Sequence, residues 1–228
     1  MARNRAANDK MLDPKLRTTE AGMELLGELH RLSGQLGSPQ GLIALGTAPL
    51  SLAFVRGTDV AALQQFLESY CSQILIPHEL PAIYQAYRHA SRYEVRELIA
   101  ADCKLDDEPK LQRFASVSRC LGVAQLQKLR PLRDQRLVQR YWEAVENGEA
   151  HGWHTIVYGL ILAVYSLPLR QGLLNYGEQV IRGFIESGRH SFKAPSEQSL
   201  ALHEKLCAPL PKAVESILSV EALAFAPQ

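Results

Sequence analysis

Residues His154 to Leu206 read HTIVYGLILAVYSLPLRQGLLNYGEQVIRGFIESGRHSFKAPSEQSLALHEKL, and this stretch decides the fold. It opens with thirteen residues, Thr155 to Leu167, that carry no charge. That is well short of the ~20 apolar residues a membrane-spanning helix needs. With one glycine and no proline, the run predicts a helix that is apolar on all sides, almost wholly buried at the middle of a bundle. Pro168 is expected to end it, since proline lacks the backbone donor and clashes with the preceding turn. A second helix follows over about Arg170 to Ser187, with Leu173, Leu174, Val180, Ile181, Phe184 and Ile185 at helical spacing. Its outer side carries Gln171, Asn175, Glu178 and Arg182, and Gly188 closes it.

Working outward, helical spacing recurs along the chain. From Thr19, the residues Leu25, Leu26, Leu29 and Leu32 mark one face, followed by a Gly- and Pro-rich segment at 34–49. Thr58 or Asp59 can cap the next helix, whose stripe is Leu63, Phe66, Leu67, Tyr70 and Ile74 and which Pro77 is expected to interrupt. Short amphipathic helices are predicted over 94–101 and 134–145, and a longer one carries Ser118, Gly122, Leu126 and Leu129. A glycine inside a helix costs ~1 kcal/mol against alanine, so Gly122 predicts a close helix–helix contact. Asn147-Gly148 reads as a turn, and a last helix is predicted over about Lys212 to Phe225. No alternating run suggests a strand. The chain therefore reads as all-α: residues 1–17 a disordered tail, residues 18–228 a single-domain bundle of about eight to ten helices.

A net charge of +1 gives no electrostatic reason to expect nucleic acid or an anionic membrane. The polar start MARNRAANDKMLDPKLRTTE has no apolar core and is not a signal peptide. Cys71, Cys103, Cys120 and Cys207 form no CxxC pair, which reads as reduced, mostly buried thiols in a cytoplasmic protein.

Few residue groups suggest chemistry. His151 and His154 with Glu146 and Glu149 have metal-ligand residue types, but Gly148 and Gly152 argue against a rigid helix there. The plainer reading of His154 is a residue that fixes the entry to the central helix, and no resident metal or cofactor is expected. Ser116 and Ser118 lie near Arg113 and Arg119, without the Gly-x-Ser-x-Gly elbow of a nucleophile. No glycine-rich phosphate loop is present. Tyr84, Tyr87, Tyr158 and Tyr165 sit at helical spacings as core or interface residues, and Arg189, His190 and Lys193 form a basic group between helices.

The order His154, Tyr158-Gly159, apolar helix, second helix, Arg189 and a Pro195-x-x-Gln198 turn resembles the urease accessory protein UreF family. Glu79-Leu80-Pro81 and Ser118-Arg119-Cys120-Leu121-Gly122 resemble two further family segments, whereas 34–49 departs from the pattern and marks a divergent member. The resemblance implies a non-catalytic helical scaffold that forms a homodimer. With the D/H-type accessory protein, it would recruit and regulate the UreG GTPase for nickel insertion into apo-urease. Arg113, Ser118, Arg119, Tyr158, Arg189, Lys193 and Gln198 fall on family-like positions and are the expected partner contacts, or residues that shape the contact face. The sequence as it stands has no arginine after Arg189, whereas the family's tail carries arginine and aromatic residues, so weaker or altered binding of the D-type partner is expected. Two other readings stay open: a helical metal-dependent oxidase of the haem-oxygenase-like sort, and an all-α adaptor unrelated to urease.

Overall fold

The computed structural model describes residues 59–130, 135–188, 192 and 195–224. The expected tail at 1–17, the helix from Thr19, the 34–49 segment, Arg189, Lys193 and Phe225 lie outside them. The described residues form helices, with no strand among them: α1 Val60–Tyr70, a π-helical segment Cys71–Glu79, α2 Leu80–Ser91, α3 Val95–Asp106, α4 Gln112–Leu129, α5 Arg136–Glu146, α6 His154–Val164, α7 Leu169–Gly188, α8 Ser196–Cys207 and α9 Leu210–Ala224. None is long and apolar enough to cross a membrane.

Of the two candidate caps, Asp59 is the one that caps α1, its carboxylate accepting from the Ala62 amide at 2.9 Å. Pro77, expected to interrupt the helix, does not. The chain stays helical from Val60 to Ser91 by widening its turns, and the Leu80 amide reaches back to the Leu75 carbonyl. Proline offers no donor and crowds the preceding turn, and a wider turn accommodates both defects. The widening also changes the phase of the residues beyond it, so that Ile74, Leu75, Glu79, Leu80 and Ile83 all lie buried.

The central helix is α6, and its closest neighbour is α2. A Cβ built on Gly159 would lie 2.5 Å from the Ile83 carbonyl oxygen and 2.7 Å from the Ala86 Cβ. Only a glycine on α6, facing the small Ala86 on α2, lets the two backbones come so near. Ile156, Val157, Leu160, Ile161 and Leu162 fill the core beside it. Leu162→Asp should abolish folding, because it buries an unpaired charge there. A soluble variant with an unchanged melting curve contradicts this.

The helix ends earlier than Pro168 requires. Ser166 takes φ 53, and the amides of Ser166 and Leu167 bond the carbonyls of Ala163 and Leu162. This paired closure satisfies the last carbonyls with a left-handed residue, usually glycine. It also turns the chain outward, so Ala163, Val164 and Tyr165 are half-buried and Ser166 is exposed, against the expectation of burial to Leu167. A non-glycine residue in this conformation costs about 1–2 kcal/mol, partly offset in the glycine variant by its unfolded-state entropy. Ser166→Gly should therefore stabilise the protein by about 0.5–1 kcal/mol in denaturant unfolding.

Around this centre, Phe66 and Tyr70 of α1, Phe114 of α4 and Phe184 of α7 form an aromatic cluster, with ring centroids 4.9–5.7 Å apart between helices. The thiols are less buried than expected. Cys71 alone is buried, Cys103 and Cys207 are intermediate, and Cys120 is exposed because it shares the solvent face of α4 with Ser116.

Candidate functional site

Two buried polar centres converge on residues 151–154, where the chain enters α6. The first is Asp102, which lies on the buried face of α3 four residues after Leu98 and is wholly inaccessible. Its carboxylate accepts from the Tyr141 hydroxyl at 2.9 Å, the Trp153 amide at 2.9 Å, the Gly152 amide at 3.1 Å and the His151 amide. Three successive amides can face one carboxylate because Gly152 takes φ 71. Burying a charge is costly unless it is hydrogen-bonded, and here four donors surround it. The Tyr141 hydroxyl is correspondingly hard to ionise, chiefly through burial and then through Asp102 itself.

The second centre is a chain of hydrogen bonds across α1, the π-helical segment, α7, α6 and α4. Tyr70 and Tyr176 donate to the same oxygen of Glu79, at 2.8 and 3.1 Å. Nε2 of His154 lies 2.5 Å from the Tyr176 hydroxyl, and Nδ1 lies 2.5 Å from the Ser118 hydroxyl. Since Tyr176 donates to Glu79, its oxygen must accept from His154, which assigns the imidazole proton to Nε2. Ser118 then donates to Nδ1, and its oxygen accepts from the His154 amide at 3.3 Å, standing in for a cap on α6. From Ser118 through His154 and Tyr176 each hydroxyl or ring proton is donated towards Glu79, which Tyr70 also reaches from the other side. Burial raises the Glu79 carboxyl to about 7, against the lowering effect of the two hydroxyls. Burial lowers His154 to about 3. Beside this chain is a water-sized cavity lined by Glu79, Leu105, Leu111, Phe114, Ser118, Trp153, His154 and Thr155.

Gly122 accounts for how closely α4 approaches this entry. A Cβ there would lie 1.9 Å from the Gly152 carbonyl oxygen and 2.7 Å from the His154 amide nitrogen. The close contact expected between helices is made chiefly with the non-helical backbone at Gly152 and Trp153 that leads into α6, and only at His154 with the helix itself.

The residues singled out in the sequence are scattered by the fold. Ser118 is buried, 1 % exposed, and can act on a partner only by shaping what surrounds it. Arg119, next to it, is half-buried against the Trp153 ring and paired with Asp106. Tyr158 is half-buried, packs on Tyr176 with ring centroids 5.2 Å apart, and donates to the Gly172 carbonyl. Arg113 is exposed beside the Phe114 ring. Gln198 is exposed too, but it stands in the first turn of α8 rather than in the turn before it, because Pro195 already starts the helix. His151 and His154 do not converge: His154 turns inward with both nitrogens engaged, while His151 faces Asp106 at 3.8 Å and Glu146 and Glu149 are exposed. Among the described residues no group of three or more His, Cys, Asp or Glu could hold a metal ion.

The sequence reading missed Asp102, Glu79 and Tyr176 as a set. The available signal was phase, because Asp102 follows Leu98 by four and Tyr176 follows Leu173 by three on buried faces.

The described residues form an all-helical architecture whose polar centres hold backbone and helices together. The model of the UreF family matches residues 57–188, more than half of the chain and including every residue of both centres, and the chain belongs to that family of urease accessory proteins. No curated protein matches it. The matched span begins beyond the 34–49 segment. UreF is an accessory family rather than a catalytic one, and membership implies an accessory role for urease.

Proposed function

We propose that this protein is the helical scaffold of a cytoplasmic urease-activation complex. It pairs with the D/H-type accessory protein, and together they recruit the UreG GTPase and govern nickel delivery to apo-urease. The family match over 57–188 carries this reading. The interior is consistent with it: His154 is consumed by internal hydrogen bonds. A protein of this kind acts by favouring one state of its partners through differential contacts. The exposed Arg113 and Gln198 and the half-buried Arg119 and Tyr158 are the described positions proposed for contact or for shaping the contact face, together with Arg189 and Lys193 outside the described residues.

Co-expression with the D/H-type protein and UreG tests the proposal. The expected result is one complex containing all three on size exclusion, with Arg113→Glu weakening recovery although the isolated chain remains folded. Recovery of D-type protein and UreG together without this chain contradicts it. We further propose a homodimer. Light scattering at tens of micromolar, an order-of-magnitude range for interfaces of standard size, should give twice the chain mass, and a monomer throughout counts against it.

A further inference from the structure

The hydrogen-bond chain through the core joins a buried carboxyl to a buried imidazole through a tyrosine hydroxyl. We infer that Glu79 and His154, joined through the Tyr176 hydroxyl, form a proton-balanced pair: both are uncharged in the packed core, so folding holds a proton on the carboxyl while withholding one from the imidazole. The inference is independent of the urease reading.

Geometry is its first support. Glu79 is 6 % exposed, and the groups facing it are hydroxyls: Tyr70 from α1 and Tyr176 from α7. The other acid near it, Cys71, has its thiol pushed up to about 12, chiefly by burial. The described surroundings include no cation that lowers the carboxyl. The cavity beside Glu79 is lined otherwise by apolar groups, Ser118, Thr155 and His154. A carboxylate without a cation, buried to this extent, is disfavoured against its neutral form. His154 faces Tyr176 on one side and Ser118 on the other, with no carboxylate in contact. A second ring proton, on Nδ1, would turn Ser118 into an acceptor twice over, since it already accepts the His154 amide, and leave its own proton unplaced.

The consequence for stability has a definite sign. Glu79 rises from an ordinary 4.5 to about 7 in the fold, so its contribution is fully present below 4.5 and is lost as pH climbs to about 7. His154 falls from 6.5 to about 3, so its contribution is fully present above 6.5 and is lost as pH drops towards 3. Between 4.5 and 6.5 the two slopes oppose each other, and the pair makes folding nearly indifferent to pH. Removing one partner exposes the other.

The test compares guanidinium unfolding of the wild-type chain and Glu79→Gln across this range. The glutamine oxygen can still accept from both tyrosines but cannot titrate. The folding constant of the variant should gain on that of the wild type by up to tenfold per pH unit between 4.5 and about 7, and level off above. Tyr176→Phe, which removes one hydroxyl that lowers Glu79, should move the wild-type transition to higher pH; a merely structural tyrosine would not shift it. Should Glu79→Gln fail to fold, infrared spectroscopy of the folded wild-type protein decides. A protonated carboxyl band persisting at about pH 6 and lost through about pH 8, above the ordinary carboxylate range, supports the pair. A constant ratio of folding constants across the window, or the absence of such a band, overturns it.

Discussion

Gly122→Ala is expected to destabilise the protein by about 3 kcal/mol or more, the upper end of overpacking effects or beyond. Helix propensity alone predicts the opposite, a gain of about 1 kcal/mol for alanine in the middle of a helix. The contact decides the sign. The added methyl would lie 1.9 Å from the Gly152 carbonyl oxygen, 2.7 Å from the His154 amide nitrogen and 2.9 Å from the Trp153 carbonyl carbon. All three are backbone atoms, which cannot rotate aside as a side-chain end does. Relief comes only by moving α4 away from the entry to α6. That movement stretches both hydrogen bonds between Ser118 and His154 and pulls on the three amides that Asp102 holds. Denaturant unfolding of the two proteins measures the difference, and a variant as stable as wild type would mean that α4 does not lie against this backbone.

Asp102→Ala should cost about 4 kcal/mol or more, because each buried donor left without a partner costs about 1–3 kcal/mol and four lose theirs together. Those donors are the amides of His151, Gly152 and Trp153 and the Tyr141 hydroxyl. Asp102→Asn keeps the shape but exchanges one accepting oxygen for a donating amide, so it should fall between wild type and alanine. Thermal or denaturant unfolding of the three proteins tests this order. Equal stability of all three would show that the carboxylate does not hold the entry to α6.

These two residues also show what sequence can and cannot reveal. Gly122 was legible because a mid-helix glycine carries a cost that only a close neighbour explains, and the neighbour is there. The helical class followed from apolar residues at helical spacing, and the central position of α6 followed from its lack of charge. Asp102 was not legible in the same way. Its partners are backbone amides some fifty positions along the chain, and backbone leaves no mark in a residue pattern. Pro77 misled for a related reason: a proline marks a lost hydrogen bond, but whether the chain breaks or widens its turns depends on the core it must fill. Ser118 and Tyr158 were picked out through family resemblance as contact positions. The fold joins them through His154 and Tyr176, one buried and one half-buried, whereas Arg113 and Gln198 are on the surface.

Urease activation in a purified system tests the proposed scaffold role most directly. Apo-urease, the D/H-type accessory protein, UreG, GTP and nickel would be combined with and without this chain, and urease activity followed over time. Activation that depends on the chain, and that is weakened by Arg113→Glu in a chain that remains folded, is the predicted result. Equal activation whether or not the chain is present would contradict the account.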